Sequence, residues 1–156
     1  MLLSLSNTCL INIILSLSNL LGIFPIYNLY TFKRYKLSYC LLYLIFVSSI
    51  HHLIETNEVG HNLHGIKIVM IYKYGYLIRY LDILTACVFF LLVLYSYNIE
   101  CIILVVNSQK KTVIFSIISS FLCDFVIRNR PLLYFILHGI WHSGVYYMIY
   151  KLSLIH

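Results

Sequence analysis

The sequence predicts an all-α protein, a polytopic transmembrane helical bundle of five spans with a sixth, short span as the alternative. Three observations point there. Of 156 residues, 62% are hydrophobic and only 10% charged, where an ordinary globular domain carries about 25% charged residues. Mean hydropathy is +0.90. The lysines and arginines gather in short connections between apolar runs, FKRYK, NSQKK and RNR. In such places they act as topology signals, so the formal net charge of +6 implies no nucleic-acid partner.

The apolar runs lie at roughly 3–24, 37–54, 77–97, 112–127 and 131–151, most of them near the ~20 residues that cross a bilayer core. The first lacks the basic n-region and clear cleavage site of a secretory signal and reads as the first membrane helix. Residues 98–106, NIECIILVV, are too short to span alone at ~1.5 Å per residue, so they either prolong the third helix or lie at the interface. Lys33, Arg34 and Lys36 put the first connection in the cytoplasm, with Lys110, Lys111 and Lys151 on the same side. Lys67, Lys73, Arg128 and Arg130 fall opposite. No repeat or linker divides the chain, so residues 1–156 form one integral membrane domain, in the endomembrane system or the plasma membrane. The five cysteines, Cys9, Cys40, Cys87, Cys101 and Cys123, have no paired spacing and are expected to serve packing.

Against that background a few polar residues stand out, because ionisable groups inside hydrocarbon are expensive and those retained usually face the bundle interior. In HGIWH, His138 and His142 are four apart and therefore share one helix face. Ser48 and His52 share a face at the end of the second run, and Asp82 sits near the start of the third. Alternating spans bring these three helix regions towards one membrane surface. Three neutral imidazoles suit Zn2+, and three ligands with an open fourth position are the catalytic rather than the structural pattern. Asp82 would orient or deprotonate a zinc-bound water. Ser48 would hydrogen-bond that water or a developing oxyanion. His51 lies off the Ser48 face, His61 and His64 sit with Glu55 and Glu58 in a polar connection, and His156 is terminal; these are not expected in the site.

The order SxxxH, then Asp, then HxxxH, carried by Ser48, His52, Asp82, His138 and His142, resembles the CREST superfamily of membrane hydrolases. That group includes alkaline ceramidases, progestin and adipoQ receptors, GPI-anchor-remodelling lipases and myomaker-like proteins. HGIWH is particularly similar to the last-helix motif of the alkaline ceramidases. The resemblance implies a bundle shortened relative to a seven-helix fold, zinc on His52, His138 and His142, and catalytic roles for Asp82 and Ser48. It implies hydrolysis of a membrane lipid, an N-acyl sphingoid amide first and a phospholipid ester second. Two other readings stand beside it: a non-catalytic, CREST-like membrane-remodelling or scaffold protein, and a haem-binding membrane protein with iron held by histidines on facing helices.

Overall fold

The structure, a computed structural model, describes residues 12–54, 69–126 and 131–155, and these are helical almost throughout, without strands among them. Helix α1 (Asn12–Thr31) is followed by α2 (Tyr35–Ile54), α3 (Val69–Ser96), α4 (Ile99–Ser108), α5 (Lys110–Val126) and α6 (Pro131–Ser153). Among the described residues three stretches are long and apolar enough to cross a membrane: Asn12–Thr31, Tyr35–Leu53 and Leu77–Ser96. A fourth joins them if α4 and α5, bent by 87° at their junction, count as one broken span. Helix α6 has 23 residues, but its histidines and tyrosines dilute its hydropathy.

Helix α1 runs seven residues past the end expected at residue 24 and passes through Pro25. A proline inside a helix removes one backbone bond and clashes with the carbonyl four residues back. Here the preceding turn, Asn19–Gly22, is 3-10 rather than α, which takes up the misfit locally. Residues 98–106 do not prolong the third helix. The chain breaks at Tyr97 and Asn98, and the Asn98 side chain caps α4 by accepting from the Glu100 backbone N–H, satisfying one of the orphan donors of a helix start.

Helix α1 packs against both α2 and α6, α2 against α3, and α5 against α6. Small residues set these approaches, as expected where apolar surface outside competes equally with apolar surface inside. A Cβ on Gly22 would collide with Ile45 Cδ1 and lie 3.0 Å from Tyr146 Cε1, so α2 and α6 both close over α1 at this glycine. A Cβ on Gly144 would run into Ser116 Oγ on α5. Reciprocal bonds staple α1 to α2: Ser16 Oγ donates to Ser49 O at 3.1 Å, and Ser49 Oγ to Ser16 O at 3.3 Å.

The distribution of side chains departs from that of a water-soluble domain, in which polar groups stay mostly outside, because polar residues are buried beside apolar ones and many large apolar residues are exposed. Asn19, Ser48, His52, Thr85, Ser119, His142 and Ser153 are buried, while Phe24, Phe90, Leu91, Leu104 and Phe121 are exposed. The larger apolar cluster, including Leu29, Leu41, Ile45, Phe89, Val93 and Tyr146, fills one part of the interior. A smaller one, Leu15, Cys123 and Tyr134, fills another. Along α6 the two histidines fall between Tyr134 and Tyr146, hence between the two clusters. Among the described residues there is no disulfide; Cys123 is buried, but Cys87 is exposed on the outer surface, so packing does not account for it.

Arg34 gathers one end of the molecule. Its guanidinium donates to Ser96 O at 3.3 Å and Ile155 O at 3.4 Å, and it stacks 3.9 Å from the centre of the Tyr97 ring. The first connection, the end of α3 and the end of α6 therefore share one face, the arrangement expected from the basic residues.

Candidate metal centre

The second half of α2 carries Ser48 and His52 one turn apart, and both are buried, His52 to 1% exposure. Helix α6 presents His138 and His142, again one turn apart, towards the same point. The four-residue spacing aligns each pair on its own helix, and the packing of α1 between α2 and α6 sets how far the rings must reach.

They meet. One ligand nitrogen from each of His52, His138 and His142 lies within 4.8 Å of the other two. Ring centroids are 4.6 Å apart for His52 and His138, 5.1 Å for His52 and His142, and 4.5 Å for His138 and His142. His52 Nε2 and His138 Nε2 stand 3.2 Å apart. Two nitrogens bound at 2.0–2.1 Å to one tetrahedral ion would be separated by about 3.3 Å, so this pair already has the spacing of one edge of such a site. Three rings so close in a buried setting can hold a metal ion, and the identity of the ion is not specified by the geometry.

The third ring is oriented by a residue absent from the sequence motif. Ser18 Oγ lies 3.1 Å from His142 Nδ1 and donates its own proton to Leu15 O at 2.6 Å. A hydroxyl has one proton, so towards the ring it can only accept. His142 Nδ1 therefore carries hydrogen, and Nε2 keeps its lone pair for a ligand. Holding one imidazole nitrogen so that the other is free is how metal-binding histidines are usually oriented. Beside this contact, Tyr146 OH donates to Asn19 Oδ1 at 2.6 Å, with its ring 5.9 Å from that of His142. The buried Asn19 Nδ2 has no hydrogen-bond partner in the structure, and an unsatisfied buried donor is uncommon enough to mark a place for a polar guest. Trp141 and Tyr134 flank His138, with ring centroids 5.1 Å away on each side.

Asp82 is half-buried on α3 and close enough to act electrostatically on the Tyr146 hydroxyl. It is not one of the three groups that converge within 4.8 Å. His51 packs 5.3 Å from the His52 ring, centroid to centroid, and also stays outside the trio. Glu55, Glu58, His61, His64, Cys9, Lys67, Arg128, Arg130 and His156 lie outside the described residues. Sequence reasoning missed Ser18, Asn19 and Tyr146. The signal for the first two was present, a Ser-Asn pair inside an apolar run, which the cost of polar groups in hydrocarbon marks as inward-facing. Comparison with protein-family models, with curated proteins and with solved structures finds no match to this chain.

Proposed function

We propose that the protein is a multi-pass membrane protein of the CREST type and a zinc-dependent lipid hydrolase, with ceramidase-like cleavage of an N-acyl amide as its reaction. The observation that carries this reading is the convergence of His52, His138 and His142 in a chain whose outer surface is rich in large apolar side chains and whose interior holds polar side chains beside its apolar clusters. A zinc ion on these nitrogens would supply the Lewis acidity that makes water nucleophilic near neutral pH.

The remaining work falls to the chain's own side chains. Asp82, as a carboxylate, accepts the proton of the attacking water and returns it to the leaving amine. Ser48, buried one turn from His52, and the Asn19 amide are hydrogen-bond donors for the carbonyl oxygen as negative charge develops on it. Ser18 fixes the His142 ring. A lipid reaches such a site laterally, its acyl chains between helices and its polar group near the surface, whereas a water-soluble ester or peptide would have to shed its hydration to enter. Haem would hold two histidine nitrogens on opposite faces of a macrocycle, whereas the 3.2 Å between His52 Nε2 and His138 Nε2 is the spacing of neighbouring ligands on one tetrahedral ion.

Metal analysis of detergent-purified protein, followed by fatty-acid release from ceramide and from a glycerophospholipid, tests the proposal. Stoichiometric zinc with release from ceramide is the expected result. Zinc without release from either lipid would support the non-catalytic scaffold instead, and absence of bound metal after zinc loading would overturn the site itself.

A further inference from the structure

Apart from the histidines, the described residues form a groove of about 980 Å³ between α1, α5 and α6. Its length is apolar, formed by residues such as Phe24, Phe115, Phe135 and Ile140, and Lys111, Thr112 and Tyr150 belong to its walls as well. Helices α5 and α6 run antiparallel, since Ser116 and Thr112 meet Gly144 while Cys123 packs with Tyr134. Lys111 at the start of α5 therefore lies at the same end as Tyr150 near the end of α6. That makes the groove amphipathic, with a cation and hydroxyls at one mouth and hydrocarbon along the rest.

The charged mouth belongs to a larger pattern. Arg34 ties the first connection to the ends of α3 and α6, and Lys151 Nζ lies 5.4 Å from the centre of the Tyr147 ring, itself in the groove wall. Lys33, Arg34, Lys36, Lys110, Lys111 and Lys151 thus share this end, with Glu100 the one acid there among the described residues. The groove follows α6 from Phe135 to Tyr150, about 22 Å at 1.5 Å per residue. That exceeds half of the ~30 Å hydrocarbon thickness, enough for an acyl chain from one leaflet to lie along it. Its volume is at the upper end of the range for sites that enclose a whole small ligand. The groove has open space at Gly139, where a Cβ built on the backbone meets no atom within 4 Å.

We infer that this groove is a binding site for one anionic membrane lipid, separate from the histidine cluster, with the acyl chain along α6 and the headgroup on Lys111. The inference rests on the membrane reading of the chain but not on what the histidines bind. A basic residue at the membrane surface favours an anionic headgroup over a zwitterionic one by about five-fold.

The test is native mass spectrometry of the full-length chain after equilibration in detergent micelles holding equal amounts of phosphatidylserine and phosphatidylcholine with identical acyl chains. Phosphatidylserine should be retained in preference, and Lys111→Gln should cut that preference by about five-fold with bound metal unchanged. Gly139→Leu, which fills open space, should lower retention of both lipids. Equal retention of the two lipids by the parent, or an unaltered preference in Lys111→Gln, would overturn the inference, as would a crosslink placing a second copy of the chain in the groove. A chain that stays in solution without detergent and retains no lipid would overturn the membrane reading too; equal retention in micelles would leave that reading standing.

Discussion

Ser18 Oγ accepts from His142 Nδ1 across 3.1 Å while donating to Leu15 O, so a residue of α1 sets the tautomer of a histidine 124 positions away. Partners of this kind are worth about 10–100-fold in metal affinity. Ser18→Ala should therefore weaken zinc binding by at least about ten-fold without loss of helix content. Competition with a chromophoric chelator measures the first and circular dichroism the second. An unchanged affinity would mean that packing alone orients the ring.

Replacing any one of His52, His138 and His142 by Ala should abolish stoichiometric metal, because two imidazoles hold zinc far less firmly than three. His51→Ala should leave the metal in place, since His51 stands outside the trio. Metal content per chain after dialysis decides this, and retention of zinc in the His52 variant would remove α2 from the site.

Asp82→Asn keeps the size of the side chain but cannot accept a proton, so it should retain zinc while losing on the order of 10²–10⁴-fold in turnover. Ser48→Ala should retain zinc and lose less, because Asn19 offers a second donor. Fatty-acid release at saturating lipid separates the two. An Asp82→Asn variant as active as the parent would make Asp82 a structural residue.

At Gly144 a Cβ would displace Ser116 Oγ and still lie 3.1 Å from Ser116 Cβ. Gly144→Ala should loosen the α5–α6 contact by about 1–3 kcal/mol, the usual cost of overpacking, and Ser116→Gly in the same chain should recover much of it. Denaturant unfolding in detergent reads both. Destabilisation that the second substitution does not relieve would place the cause elsewhere than in this contact.

Much of this architecture is local and was therefore legible. An apolar run long enough to cross hydrocarbon declares a helix by itself, and α2, α5 and α6 begin and end within two residues of where their runs do. The pairing of His138 with His142, and of Ser48 with His52, follows from the pitch of a single helix. Those features belong to the sequence alone.

What only the tertiary structure decided is how separate helices meet. The persistence of α1 through Pro25 depends on a 3-10 turn that no propensity announces, and the break at Tyr97 and Asn98 decides that residues 98–106 do not prolong the third helix, a choice the sequence left open. The closure of His52 onto His138, the approach of Ser18 to His142, the bond from Tyr146 to Asn19 and the groove ending at Lys111 all join residues from different helices. Their geometry is set where small residues such as Gly22 and Gly144 let backbones approach. Hydropathy specifies that a helix exists and which of its residues are polar, whereas the side-chain volumes at each contact determine which polar residues face one another.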